Sequence, residues 1–384
     1  MAVITNNTAL VLSGGGARAA YQVGVLKALK EILPPQSNPF PIIIGTSAGA
    51  INAVALAAHS DDFQNSVELL QKLWAELQIE HVFRTEWRDF IGAMYRIARS
   101  FFNQGLDYHR PLSLLDNSPL NSFLKQNIHF PSIQQNIDRG ALKAISVAAL
   151  GYTSSNSVNF FQGQESLEEW RRFRRLGVRT TIGMEHLLAS SAIPLVFPTV
   201  RIGRQYYGDG AMRQLAPISP ALHLGADRVF IIGVSGNRSR MMKSRRVVHR
   251  HPPSVAQMAG QLLNSAFIDS LEGDIEHLER INDLIELVPE AVRENQEVPL
   301  RPIKTLVISP SKEMDKIAGR HVRYMPKKLR FFLRSSGATA KSGGSVLSSY
   351  LLFVPSFTQE LIDLGYQDAM WERDTILDFF GYRH

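Results

Sequence analysis

Cysteine is absent from this 384-residue chain. That removes disulfides, a thiolate nucleophile and a cysteine-held metal, and gives no sign of an oxidising compartment. A paired histidine spacing of the HExxH kind is missing as well, so no metal and no cofactor is expected. The start, MAVITNNTALVLSGGG, lacks a basic segment followed by an uninterrupted apolar run. A cleaved signal peptide is therefore not expected, the mature chain is taken to begin here, and the cytoplasm is the expected compartment. One charge-free stretch, Phe40 to Ser60, is long enough to imitate a membrane span. Pro41 and the turn from Gly45 to Gly49 divide it into a short strand and a helix, which suits a buried core better than lipid. No internal repeat or long low-complexity tract occurs.

What is present is globular: 45% hydrophobic and 20% charged residues, enough chain for one large domain or two ordinary ones. The net charge of +7 favours anionic partners. Much of the excess sits in WRRFRRLGVR (170–179) and in NRSRMMKSRRVVHRH (237–251), the second of which has no acid. Two solvated loops and a phosphate-rich surface are both consistent with these runs. No zinc-finger, RNA-recognition or helix-turn-helix pattern accompanies them, so nucleic acid is not an expected partner.

Near-continuous apolar runs, ALVLS (9–13), PIIIG (41–45), KAISVAAL (143–150), RVFIIGVS (228–235) and KTLVIS (304–309), read as fully buried strands. They alternate with helical stretches. This predicts an α/β fold of three layers, α/β/α, around a central, mostly parallel sheet. Residues 62–130 interrupt the alternation: SVELLQKLWAELQ is an amphipathic helix, and Trp74, Trp87, Phe90, Phe101 and Phe102 recur at helical spacing. This helical insertion is core, a lid or a membrane-facing surface. The segment 236–256 reads as a basic flexible loop, GATAKSGGS (337–345) as another, and SYLLFVPSFTQELIDLGYQDAM as a strand-like piece followed by a helix.

Two short stretches suggest chemistry. Gly45-Thr46-Ser47-Ala48-Gly49 fits G-x-S-x-G, with isoleucines before it and small residues after it. Ser47 is either a nucleophile held in a strained strand-to-helix turn or a small residue in a packing turn. Gly14-Gly15-Gly16-Ala17-Arg18 lets backbone N–H groups point at an anion without side-chain obstruction, as an oxyanion hole requires. Gly14, Gly16 and Ala19 also fit a dinucleotide fingerprint, but the next strand ends in GTSAG and no carboxylate follows before Asp61. A serine nucleophile needs a base. The downstream histidines His223, His249, His251, His277, His321 and His384 sit in no convincing strand-end turn; His223, in the helix-like PALHLGADR, and His249 and His251, in the basic loop, read as surface residues. Asp209, between Gly208 and Gly210 after the β-like RIGRQYYG, either presents its carboxylate in a tight turn or belongs to a hairpin.

Taken in order, SGGGARAAYQVGVLKAL, GTSAG, ASSAIPLVFPTV (189–200) and GDGAMRQLAPISPA resemble the patatin-like phospholipase family. The resemblance implies a patatin-like catalytic domain over 1–235, with 62–130 as insertion or lid and 257–384 as a C-terminal α/β extension packed on it. It implies a lipid acyl hydrolase, a phospholipase A or lysophospholipase, working through an acyl-serine. By motif, Ser47 is the nucleophile and Asp209 its base. Gly14, Gly15, Gly16 and Arg18 form or support the oxyanion hole, and Gly45, Gly49 and Gly210 support the turns. Ala19 and Ala211 stand where the family usually has glycine, each adding one methyl. The implied substrate is a phospholipid or other fatty acyl ester; the arginine-rich segments add the expectation of an anionic membrane surface as a further partner, with a peripheral place at the inner membrane surface. A carboxylate base is expected to keep working at pH values that protonate histidine. A thioesterase or broad carboxylesterase with the same dyad, and a non-catalytic lipid-binding regulatory protein, are the alternatives. Nothing in the sequence addresses homo-oligomer formation.

Overall fold

The computed structural model of the chain describes residues 7–35, 38–84, 113–214, 216–235, 255–266, 270–289, 302–335 and 345–382, with the isolated positions 92, 95 and 292. Trp87, Phe90, Phe101 and Phe102, nearly all of the basic stretch 236–256, His249, His251 and His384 lie outside the described residues, as does GATAKSGGS but for Ser345.

Ten strands form one mixed sheet: β1 (Thr8–Leu12), β2 (Ile42–Thr46), β3 (Ala144–Gly151), β4 (Asn156–Gly163), β5 (Trp170–Arg172), β6 (Arg175–Arg179), β7 (Val200–Ile202), β8 (Gln205–Asp209), β9 (Arg228–Ile232) and β10 (Lys304–Ile308). The order is β10-β9-β1-β2-β3-β4-β6-β5. From β10 to β3 neighbouring strands are parallel. Beyond β3 antiparallel pairing predominates. Strands here are apolar on both sides because both faces are covered. Leu10 and Leu12 enter one core, and Ala9 and Val11 the other, as the two-residue period of a strand dictates. Helices α1 (Ala20–Ile32), α2 (Ala48–Ala58) and α3 (Phe63–Glu76) pack in the first core. The helices Ser219–His223 and Ser270–Glu286 cover the second. The charge-free stretch 40–60 is β2, a turn and α2: β2 contributes to both cores and α2 lies in the first. Among the described residues no helix is long and apolar enough to cross a membrane.

The expected strand-like piece in SYLLFV is instead the helix Ser345–Leu351, joined by a short extended link to the helix Pro355–Trp371. A short apolar run that is buried all round does not distinguish strand from helix. WRRFRRLGVR also differs from the loop reading: it is the antiparallel pair β5 and β6 at the sheet edge, with Phe173 exposed at its tip. His223 is half-buried and stacked on Trp170, not at the surface, and His321 is half-buried against Glu360. His277 is exposed.

The helix Pro355–Trp371 crosses α1 at two glycines. A methyl on Gly24 would meet the carbonyl of Ile362, and one on Gly365 would meet the carbonyl of Tyr21. Neither backbone can retreat without separating two buried faces. Gly365→Ala should therefore destabilise the protein by roughly 1–3 kcal/mol despite alanine's better helix propensity. Thermal and urea denaturation of wild type and variant check this, and an unchanged or raised midpoint would contradict it.

Candidate active site

The register around β3 brings two distant segments together. β2 runs along one edge of β3 as far as Thr46, opposite Ala148. β4 occupies the other edge from end to end. β8 then takes the stretch of edge that β2 leaves, with Asp209 opposite Ala149. The residue after Thr46 and the last residue of β8 thus meet end to end. Ser47 Oγ donates to Asp209 Oδ2 at 2.6 Å.

Ser47 has φ 55 and ψ −127, a conformation that costs a non-glycine residue about 1–3 kcal/mol. Its N–H donates to Ser190 Oγ at 2.8 Å, which fixes the turn from the helix Met184–Ser190. Gly45 and Gly49 let α2 fold back tightly: side chains there would collide with the Ala50 backbone and with the carbonyls of Leu12 and Ser13. A side chain at Gly210 would strike the Ala148 carbonyl of β3. Ala211, in place of glycine, is buried, and its N–H donates to Asp209 Oδ1 at 2.9 Å. Ala19 is likewise accommodated with no exposure.

Asp209 is 0% exposed. Burial drives its carboxyl up to about 7, against the opposing pull of hydrogen bonds from Ser47 and the Ala211 N–H, which favour the charged form. Burial therefore removes the expected advantage over histidine at low pH: this carboxyl takes up a proton in the range where histidine does. No histidine hydrogen-bonds to Ser47 or Asp209 among the described residues.

The glycine loop follows β1 where the sheet changes direction: β1 leads on to β2 on one side, and its other neighbour, β9, to β10 on the other. Such a crevice at the carboxyl ends of strands is the usual ligand position in open α/β sheets. A side chain on Gly15 would come within 2.5 Å of Val234 Cγ2, and Gly16 has φ 55 with the Tyr350 carbonyl against it. The side chain of Arg18 is engaged by the C-terminal helices. Its Nε donates to Ser349 Oγ at 2.8 Å, its Nη2 pairs with Asp315, and its guanidinium lies 4.1 Å over the Tyr350 ring. Arg18 therefore holds the loop to the C-terminal helices.

Ser47 and Gly16 open on an apolar pocket walled by Trp74, Ile193, Phe197, Tyr350, Leu351 and Phe353, among others. Trp74 is core and pocket wall together. Its Nε1 donates to Asn52 Oδ1, Asn52 Nδ2 donates to Gln22 Oε1, and Gln22 Nε2 donates to the Ser13 carbonyl, a buried chain from wall to glycine loop. The Ser191 hydroxyl is also on the wall, buried and without a hydrogen-bond partner. Ser190, Ser349, Tyr350 and Phe353 were not singled out as site residues from sequence. Ser190 was within reach, since it lies in the quoted ASSAIP block; the others lie far from any motif. Among the described residues no three His, Asp or Glu side chains gather as a metal site.

The raised Asp209 carboxyl has a measurable sign. In the unfolded chain it ionises near 3.8, whereas the folded protein keeps the proton up to about pH 7. The stability this contributes is complete below about pH 4 and is lost as pH rises to 7, with a slope of at most about 1.4 kcal/mol per pH unit. Asp209→Asn has no such group, so its unfolding free energy should gain on wild type by on the order of a few kcal/mol between pH 4 and 8. Denaturant titrations of both proteins across that range check it; parallel pH curves would show that the carboxyl is not displaced.

The family model described as Patatin-like phospholipase matches residues 10–222. Over 75 residues the chain is 43% identical to patatin-like phospholipase domain-containing protein 7 of Rattus norvegicus, which is 19% of this chain and 5% of that protein. Over 52 residues it is 52% identical to lysophospholipase nte1 of Aspergillus terreus, 14% of this chain and 3% of that protein. The chain thus spans only a small fraction of the curated relatives it matches. Among solved structures, human GIVD cytosolic phospholipase A2 overlaps 97% of this chain and 59% of its own, at TM-score 0.40 and 11% identity. VipD from Legionella pneumophila overlaps 93% and 67%, at TM-score 0.31 and 14% identity. With more than half of its length inside the family model, the chain belongs to the patatin-like phospholipase family.

Proposed function

We propose that the protein hydrolyses fatty acyl esters of phospholipids or lysophospholipids by a Ser47–Asp209 dyad. The observation that carries this reading is the 2.6 Å hydrogen bond from Ser47 Oγ to a fully buried Asp209, at the mouth of an apolar pocket. Asp209 takes the Ser47 proton as Oγ attacks the ester carbonyl, and the tetrahedral oxyanion is held by amides of the Gly14–Gly16 loop. Collapse expels the alcohol, which receives the proton from Asp209. Water, deprotonated by the same carboxylate, then releases the fatty acid and restores Ser47. The pocket takes the acyl chain, for which an apolar wall is the complementary surface. Residues 1–235 supply the dyad and the loop, and the segment 257–384 supplies the wall at Tyr350, Leu351 and Phe353.

Ser47→Ala and Asp209→Asn should each lower fatty acid release from lysophospholipid by on the order of 10³-fold or more, while both variants stay folded. Gly15→Val should cost on the order of a hundredfold, through displacement of the oxyanion donors. In wild type, kcat/KM should rise with pH around 7, as Asp209 ionises. Full activity in folded Asp209→Asn would remove the dyad. If thioesters were cleaved and oxygen esters were not, the same site would belong to a thioesterase.

Phe353→Ala opens the pocket wall and should shift the acyl-chain preference toward longer or bulkier chains, read from kcat/KM over a series of lysophospholipids. An unchanged series would place the acyl chain elsewhere.

A further inference from the structure

Between Asp315 and Glu360 the chain contains no aspartate or glutamate and eight lysines and arginines, more than its whole net charge of +7. Within this span the turn Val322–Tyr324 leads into the helix Lys327–Ser335. The helix buries Leu329, and the link before it buries Met325. Lys327, Lys328 and Phe331, three and four positions apart, share the opposite, exposed face. Phe331 is 63% exposed there. Arg330 donates to the Arg323 carbonyl at 2.9 Å, so the turn is held against the helix, and it adds exposed Arg323 and Tyr324 to the same edge. Lys316 and Arg320 are paired with Glu313 and Glu360. Arg323, Lys327 and Lys328 face no carboxylate at ion-pair distance among the described residues.

We infer that this face, Arg323, Tyr324, Lys327, Lys328 and Phe331, docks the protein on an anionic phospholipid surface. The inference rests on the lipid hydrolase reading and gives that site its approach to substrate. Lysines beside exposed aromatic rings, on the side of a helix opposite buried Leu329, are the composition of a segment lying in a membrane interface. The position agrees. The helix Met314–His321, directly before it, carries Asp315, which holds Arg18 of the glycine loop, and the helix Ser345–Leu351 that follows in the same acid-free span walls the pocket. Among the described residues the other basic run singled out from the sequence, the β5–β6 hairpin, is on the far edge strand, follows Glu165, Glu168 and Glu169, and uses Glu169 to accept from the Arg179 N–H.

The test is flotation of the full chain with vesicles of phosphatidylcholine alone and of phosphatidylcholine with phosphatidylglycerol, at low and high salt. Hydrolysis of a water-soluble short-chain ester is measured in parallel. Wild type should bind the anionic vesicles and lose most of that binding at high salt. Lys327→Glu with Lys328→Glu should weaken binding at least about thirtyfold, since each lysine at such a surface is worth roughly fivefold. Phe331→Ser should weaken it on its own. Both should leave soluble-ester hydrolysis and the melting temperature unchanged. Equal binding by wild type and both variants, equal affinity for the two vesicles, loss of binding only in Arg171→Glu with Arg172→Glu, or preference for a single-stranded oligonucleotide over vesicles would each overturn the proposal. Absence of all hydrolysis with vesicle binding intact would instead remove the hydrolase reading and leave the docking face standing.

Discussion

One edge of β3 decides what this molecule has as a site. β2 stops opposite Ala148 while β3 continues to Gly151, and the unpaired edge left over must find hydrogen bonds or lose them to burial. β8 fills it in the opposite direction and ends there. Two chain directions converging on one edge bring Ser47, the first residue after one strand, against Asp209, the last residue of the other, across 162 positions of sequence. Gly210 follows from the same constraint, because the chain leaving β8 passes against the Ala148 carbonyl.

That convergence happens inside the protein, and burial sets its chemistry. A carboxylate without solvent is unfavourable, so Asp209 is displaced toward the neutral form even with two donors upon it. The strained backbone of Ser47 is held by neighbours from separate elements: Ser190 at its amide, Asp209 at its hydroxyl, and Gly45 and Gly49 at close approach. Where several independent segments fix one conformation, strain of this size persists.

The parts of this arrangement written in local sequence were legible. β1, β2, β3, β9 and β10 are continuous apolar runs, and their alternation with helical stretches located them. The G-x-S-x-G turn and the glycine loop are chemically unusual over five residues each. The helix Ser345–Leu351 was not legible, since its apolar run fits a strand equally well; the contacts of Gly16 with Tyr350 and of Arg18 with Ser349 and Tyr350 show where it belongs. The raised Asp209 carboxyl was also out of reach, because it depends on burial by segments far apart in sequence. The sequence reading gave histidines the surface by default. His223 departs from that because Trp170 covers its ring, while desolvation with Arg172 and Arg175 nearby pushes it down to about 4.

The tie between Arg18 and the helices around Ser349 and Asp315 has a bearing on the protein's synthesis. The strands that unite Ser47 and Asp209 are all made by the time β8 leaves the ribosome, but the residues that anchor the glycine loop and wall the pocket come much later in the chain. A nascent chain therefore can bring Ser47 and Asp209 together well before it has the pocket wall at Tyr350, Leu351 and Phe353. The order of translation itself delays a finished pocket until the helix Ser345–Leu351 and the residues just after it have been made.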